Sequence, residues 1–360
     1  MDLNKKRIAV ICQYELLAER VGGMDYFFWE FDKKCKSEGF EVDWFFPNVS
    51  DHGHYNDLHI LYDENSTLEQ LFIEHISIHK NQYSHIFTHF LELCTPFFKK
   101  VKQLTSAKII AVDHNPRPLG GYPLKKKILK RLKGFLFSRY IDLFVGVSNY
   151  TVQELIKDFG SQIEGKTNVI YNGISIDDIQ IRQNRKKSRP KFLTASHLRY
   201  SKGIQDLIEA VFLLPMEIKD EIVIDIYGDG PYRENLEAQV RTLALEKSFN
   251  FMGSTSKLKS IYCNYDYMLQ PTHMECFSLS ILESLAANVP VIATNVGGNE
   301  EAITNNVNGY IVKSKKTDDI KAVLEDLWEG NLIIDIDTRK LIAERFTIDI
   351  MVANYIQLLA

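Results

Sequence analysis

Two glutamates eight positions apart, Glu275 and Glu283, give this chain its most legible chemistry. They sit in a segment, residues 270–298, that reads as strand, loop, helix, strand. Tyr267-Met268-Leu269 looks like the end of a strand, and Pro271 and Thr272 break it. A helical run follows, with Leu279, Leu282, Leu285 and Ala286 on one face. Asn288 and Pro290 stop that helix, and Val289-Pro290-Val291-Ile292-Ala293 reads as a buried parallel strand before Gly297-Gly298. This order predicts a βαβ unit, whose helix begins at the carboxyl end of a strand. Unpaired backbone N–H groups there suit an anion such as a phosphate. Glu275 lies in the loop before the helix, and Glu283 lies more than a turn beyond Ser278. A carboxylate in that second place can accept two hydroxyls of a diol. Taken alone, either glutamate also fits an ordinary capping or dipole position.

The same alternation extends over the whole chain. Ile8 to Cys12 reads as a first buried strand, and a loop ending in Gly22-Gly23 leads into a helix over residues 24–38 with Phe27, Phe28, Phe31 and Cys35 inward. A glycine pair at a helix start permits close backbone approach to a phosphate or sugar, and ordinary turn chemistry explains it as well. Strands over residues 42–46, 85–88, 108–112 and 142–147 alternate with helices over 67–80 and 92–103. His114 follows the 108–112 strand and is a candidate cleft residue, although a lone histidine is often structural. His52, His54 and His59 lie in a polar stretch that reads as a solvated loop, without a carboxylate at ligand spacing. Residues 181–190, rich in Lys and Arg, read as an exposed linker between two domains. The pattern restarts with Phe192 to Ala195 and the loop Ser196-His197-Leu198-Arg199-Tyr200-Ser201-Lys202-Gly203, which leads into a helix. Gly228-Asp229-Gly230-Pro231 follows another strand, and Gly253-Ser254 follows a short one.

Several of these stretches resemble one family. Glu275-Cys276-Phe277-Ser278, the seven residues between the glutamates, Pro290 to Thr294, Gly297-Gly298 and Glu301 resemble the E-x(7)-E region of retaining GT-B glycosyltransferases of glycosyltransferase family 4. Cys276 replaces a usual glycine. Tyr171-Asn172-Gly173 resembles an I-P-N-G motif at the close of the family's first domain, and the loop ending Lys202-Gly203 resembles G-R-L-x-x-x-K-G, with His197 where arginine is usual and Arg199 two residues on. The resemblance implies an α/β GT-B fold of two Rossmann-like domains facing a cleft: residues 1–180 for the acceptor, 190–345 for the nucleotide-sugar donor, and a helix over 346–360 returning to the first domain.

It further implies transfer of a sugar from a nucleotide sugar, UDP-sugars favoured, to a hydroxyl of a saccharide or lipid-linked saccharide, without a metal or other cofactor. Glu275, Lys202 and His114 would act at the reacting centre. Gly23, Arg199, Lys202, Gly228, Ser254, Phe277, Ser278, Leu279 and Glu283 would bind donor, with Gly22 and His114 on the acceptor side. A GT-B nucleotide-sugar epimerase and a silent glycan-binding GT-B protein are the alternatives.

Composition sets the bounds. A net charge of −4 gives no global field for nucleic acid. Five cysteines without C-x-x-C suit a reduced, cytoplasmic protein. The first apolar run is too short for a signal peptide, and no stretch approaches the roughly 18 residues of a membrane span. Residues 123–139 predict a helix whose Leu124, Ile128, Leu132, Phe135 and Leu136 form a buried stripe, leaving Lys125, Lys126, Lys127, Lys130, Arg131 and Lys133 outward. No acidic residue occurs from His114 to Ile141. That basic surface is either solvated or a peripheral contact with anionic lipid headgroups, or a polyprenyl diphosphate, on the cytoplasmic face of a membrane.

Overall fold

Near-continuous apolar runs form strands buried on both faces, as all-parallel sheets require, and the runs of helical period between them form the crossovers. A computed structural model of the chain describes residues 6–118, 120–184 and 188–360. The chain divides into two units, Met1–Gly173 with Ile348–Ala360, and Ile174–Thr347.

The first unit holds seven parallel strands: β1 (Lys6–Cys12), β2 (Phe40–Phe45), β3 (His59–Leu61), β4 (Tyr83–His89), β5 (Lys108–Asp113), β6 (Leu143–Gly146) and β7 (Thr167–Val169), in the order β3-β2-β1-β4-β5-β6-β7. Its helices are α1 (Gly23–Ser37), α2 (Leu68–Ile78), α3 (Pro96–Leu104), α4 (Leu124–Phe137) and α5 (Asn149–Phe159). The order reverses between β1 and β4, the switch point at whose carboxyl end open α/β sheets bind ligands. One face packs Ile86, Ile109 and Phe144 with Phe72 of α2, Phe98 of α3 and Leu155 of α5. The other carries an aromatic cluster of Phe27, Phe28, Phe31, Trp44, Phe46 and Phe87, all buried.

The second unit holds six parallel strands: β8 (Phe192–Ala195), β9 (Ile224–Tyr227), β10 (Phe249–Gly253), β11 (Tyr267–Gln270), β12 (Val291–Thr294) and β13 (Gly309–Val312), in the order β10-β9-β8-β11-β12-β13. Its helices are α6 (Ile204–Phe212), α7 (Met216–Lys219), α8 (Arg233–Thr242), α9 (Leu258–Ile261), α10 (Leu279–Ala286), α11 (Asn299–Ala302), α12 (Thr317–Glu329) and α13 (Thr338–Arg345). Here the switch point lies between β8 and β11. The last helix, α14 (Ile348–Gln357), belongs to the first unit, where the buried Tyr355 packs against Phe27 at 4.9 Å between ring centroids.

Two expectations change. The exposed linker at 181–190 is not where the units divide. Arg182 is buried, paired with Asp266, and its N–H donates to the Ala287 carbonyl at 2.9 Å. A guanidinium with a buried carboxylate partner is held in place, so the break falls earlier, at Gly173. Arg185, Lys186 and Lys187 lie outside the described residues. The stripe on α4 is not buried: Leu124, Ile128, Leu129, Leu132, Phe135 and Leu136 are all exposed. Gly134 decides this. A Cβ there would stand 2.0 Å from the carbonyl oxygen of Phe159, so only the glycine side of α4 can approach α5 this closely. The side bearing Gly134, Lys130 and Phe137 turns inward, and the apolar arc turns out.

Candidate active site

In the second unit, the functional side chains come from the loops after β8 and β11, on either side of the switch point. Lys202 ends the first loop and Glu275 lies in the second, 73 positions on. Lys202 Nζ donates to Glu275 Oε2 at 2.8 Å, and both side chains are largely buried. The Cys276 N–H donates to the other carboxylate oxygen at 3.2 Å. Backbone contacts hold the loops in register: the His273 N–H donates to the Ser201 carbonyl at 2.8 Å, and Thr272 Oγ1 donates to the same oxygen at 3.1 Å. Gly203 makes the approach possible. It takes φ +71°, and a Cβ there would lie 1.8 Å from the Pro271 carbonyl oxygen. Gly297, at φ +60°, fits against the Glu275 carbonyl in the same way. An ammonium has three N–H donors, so Lys202 keeps two beyond Glu275.

The helix α10 starts in this region. Ser278 is its N-cap, yet makes no side-chain cap bond, and its hydroxyl instead meets Ser280 Oγ at 3.0 Å. The N–H groups of the first turn are therefore not satisfied by a capping side chain, the arrangement that suits an anion. Phe277, just before the cap, is buried against Phe346. Within α10, Glu283 accepts from Tyr262 Oη at 3.2 Å. Burial lifts the Glu283 carboxyl above its ordinary range, opposed by the tyrosine hydrogen bond and the nearby Lys259 ammonium. Burial and the adjacent carboxylate push the Tyr262 hydroxyl up in turn, so it stays a donor.

Arg199 and His197 are exposed in the loop after β8. His197 is shifted down, first by desolvation and then by the Arg199 charge, so it is neutral near pH 7 and does not replace a fixed cation. The Gly228 N–H donates to the Gly253 carbonyl at 2.9 Å, which draws the loops after β9 and β10 together and leaves Ser254 exposed beside them. Leu279 is the first residue of α10.

In the first unit, Gly22 caps α1 and Gly23 is its first residue. The Gly22 N–H donates to Asp25 Oδ2 at 2.8 Å, and the buried Asp25 also accepts from Tyr14 Oη at 2.9 Å and Tyr55 Oη at 2.6 Å. These bonds fix the glycine turn. At the carboxyl ends of β4 and β5, His89 Nδ1 and His114 Nε2 lie 2.9 Å apart, and His114 stacks on Phe90 at 4.4 Å. Phe90 holds φ +60°, unusual for an aromatic residue. Burial pushes His114 down to about 3 and His89 well below its ordinary value, so both are neutral rings.

Sequence reasoning missed Asp25, His89, Tyr262, His273 and Asp206. Asp25 stands three residues after Gly22, a capping-box spacing that could have flagged it. His273 Nε2 lies 2.6 Å from Asp206 Oδ2, and it sat unremarked inside the 270–298 stretch. Nothing local marks Tyr262 or His89. Among the described residues, no group of three or more His, Cys, Asp or Glu side chains could hold a metal ion.

Two parallel sheets, each open at a switch point with polar loops at its carboxyl end, are the architecture of GT-B proteins. Residues 21–178 match the family model described as Glycosyltransferase Family 4, and residues 175–345 match the one described as Glycosyl transferases group 1. Between them the two models take in residues 21–345, both describe glycosyltransferases, and the two sheets have the GT-B fold. It is similar to the GtfA subunit of a UDP-N-acetylglucosamine–peptide N-acetylglucosaminyltransferase of Streptococcus agalactiae, at 29% identity over 49% of this chain and 35% of that protein. It is similar also to an alpha-monoglucosyldiacylglycerol synthase of Streptococcus pneumoniae, at 31% identity over 39% of this chain and 35% of that one. The matched stretch thus spans about a third of each of these relatives. Two solved structures share the fold over nearly the whole chain. A sucrose-phosphate synthase from Thermosynechococcus elongatus has TM-score 0.78 and 17% identity, with 98% of each chain covered. The Anabaena protein HepE in complex with UDP has TM-score 0.76 and 16% identity, with 98% of this chain and 99% of that chain covered.

Proposed function

We propose that the protein is a retaining glycosyltransferase that moves a sugar from a nucleotide sugar to an acceptor hydroxyl, in polysaccharide or glycolipid assembly. The observation that carries this reading is the Lys202–Glu275 pair at the switch point of the second unit, with the start of α10 and Glu283 following in the same loop and helix. The bond from the anomeric carbon to the diphosphate breaks, and a bond from that carbon to the acceptor oxygen forms. The acceptor proton passes to the leaving phosphate, so no carboxylate base is needed.

Charge must be stabilised where it develops. Lys202, Arg199 and the amides from Phe277 to Leu279 hold the diphosphate, without a metal ion. Glu275, fixed by Lys202, faces the sugar and the cationic centre. Glu283, fixed by Tyr262, accepts the ribose hydroxyls. Gly228 and Ser254 border the base. Gly22, Gly23 and the neutral His114 serve the acceptor and the sugar. A uridine diphosphate donor is favoured, since the Anabaena protein was solved with UDP and with UDP-glucose. A lipid-linked acceptor would place the protein on a membrane surface, and one relative is by name a diacylglycerol glycoside synthase.

The test is a thermal-shift panel of nucleotide sugars in excess chelator. A ligand at 100 times its Kd adds about 2.7 kcal/mol to stability. Uridine-based donors should raise the melting temperature. The absence of a shift with every nucleotide sugar, or a shift only when a divalent ion is added, would overturn the reading. Retention is read separately by NMR of slow donor hydrolysis: the first sugar anomer released should keep the donor's configuration.

A further inference from the structure

The exposed face of α4 is apolar. Leu124, Ile128, Leu129, Leu132, Phe135 and Leu136 have relative exposures between 41% and 75%. At ~100° per residue they fall within an arc of about 140° on the helix surface. Cations flank the arc, Lys127 and Arg131 along one edge and Lys126 and Lys133 along the other, while Lys125 falls within it at the first turn of the helix. Lys130 is committed to Asp158 at 3.0 Å and Lys133 to Glu92 at 2.6 Å. Among the described residues, Lys125, Lys126, Lys127 and Arg131 have no carboxylate partner. Ile128, Lys127 and Arg131 also line a groove of about 430 Å³ with Arg117, Tyr122 and Lys157. The two carboxylates facing it are already paired, Asp158 with Arg117 and Lys130, and Glu154 with Lys157. Lys127 and Arg131 remain its uncommitted charges.

We propose that α4 is a membrane-inserting element: its apolar arc enters the acyl boundary of an anionic bilayer, while Lys125, Lys127 and Arg131 sit among the headgroup phosphates. This deepens the lipid-acceptor reading given above and rests on it. A contiguous apolar arc rimmed by cations is the pattern of a helix lying in the interface plane, with long basic side chains reaching back to the polar layer. A second copy of the chain is a poor occupant, because pairing this face with itself opposes two sets of unpaired cations. The surface differs in kind from a purely electrostatic patch. Salt screens exposed charges, but it does not remove the apolar contribution.

The experiment uses the full chain and vesicle co-sedimentation, with phosphatidylcholine alone or mixed with phosphatidylglycerol, at low and high salt. One variant carries Ile128→Ser, Leu132→Ser and Phe135→Ser; another carries Lys125→Glu, Lys127→Glu and Arg131→Glu. Wild type should bind the anionic vesicles and keep part of that binding at high salt. The serine variant should bind at least about tenfold more weakly and lose the salt-resistant fraction. The glutamate variant should lose the preference for anionic vesicles. No binding by wild type, or binding of the serine variant equal to wild type in both salts, would overturn the proposal. Wild type that is dimeric by sedimentation velocity, with a monomeric serine variant, would assign the face to self-association instead. Nucleotide-sugar titration of each variant separates the two readings: intact donor affinity with lost vesicle binding affects α4 alone, whereas no donor binding by wild type fails the glycosyl-transfer reading.

Discussion

The carboxyl ends of the two sheets are furnished in opposite ways. In the second unit the loops at the switch point and the helix that follows carry charge that is already partnered: Lys202 with Glu275, and Glu283 with Tyr262. In the first unit the corresponding end presents neutral rings, with His89 and His114 stripped of charge by burial and Phe90 stacked on His114, while its charges are taken up in buried bonds: Asp25 accepts from two tyrosine hydroxyls and a backbone N–H, and Asp113, the last residue of β5, pairs with Arg117 at 2.9 Å. Under the glycosyl-transfer proposal, one sheet end would hold a charged group and the other would orient a neutral one. A dissociating diphosphate and an uncharged acceptor hydroxyl make that same division of labour. The glycines follow it too. Gly203 and Gly297 let charged loops pack tightly in the second unit. A Cβ at Gly22 would meet nothing within 4 Å, so that turn leaves open space.

Changing Lys202 should break the comparison most. Lys202→Ala removes the cation and frees Glu275, so turnover should fall on the order of a hundredfold, while the melting temperature moves little. Lys202→Arg should recover part of the rate. An alanine variant that turns over normally would remove Lys202 from the charged half.

His114 sharpens the neutral half with a smaller effect. His114→Ala loses a neutral hydrogen bond of roughly 0.5–1.5 kcal/mol, up to about tenfold in kcat/KM. The pH dependence has a definite sign. The folded-state pKa of His114 is pushed down to about 3, against about 6.5 in an unfolded chain. A depressed folded value means that the unfolded state takes up the proton first. Stability is therefore fully present above pH ~6.5 and falls as pH drops towards 3. The rate of wild type should show no break near pH 6.5 from this ring, and the alanine variant should have a flatter acid limb in its stability profile. A rate break near 6.5 that disappears in the variant would show that the ring works as an acid or base.

Much of this was legible in sequence, for reasons that differ by region. The βαβ unit from Tyr267 to Thr294 was readable because its strands are apolar runs and its helix has a clean period bounded by Pro271 and Pro290. The candidate charged residues were readable from their loops. Their pairing was not, since Lys202 and Glu275 meet only through the reversal of strand order. The orientation of α4 was misread because a stripe of apolar residues ordinarily marks the buried face, and here one glycine on the opposite side sets the packing. The break between the units was misread because Arg182 stands in a basic run that looks solvated, while its partner Asp266 is 84 positions away. Aromatic partners such as Tyr262 leave no local trace of the carboxylate they serve.

Glu283 tests most directly whether the second unit holds a nucleotide sugar. Burial raises its carboxyl above the usual range, so the folded state binds this proton more tightly than the unfolded state does. Keeping the charge at neutral pH costs stability, and that cost shrinks as pH falls from the raised folded value towards the ordinary unfolded one, below which it is gone. Glu283→Gln retains an acceptor for Tyr262 without the charge. It should therefore be at least as stable as wild type at pH 7, with the difference shrinking at lower pH. Calorimetric titration of the uridine nucleotide sugar found in the panel, in excess chelator, should show about ten- to a hundredfold weaker binding to this variant than to wild type, the equivalent of roughly 1.5–3 kcal/mol for a charge-assisted pair. Unchanged affinity in a folded Glu283→Gln protein would contradict the account.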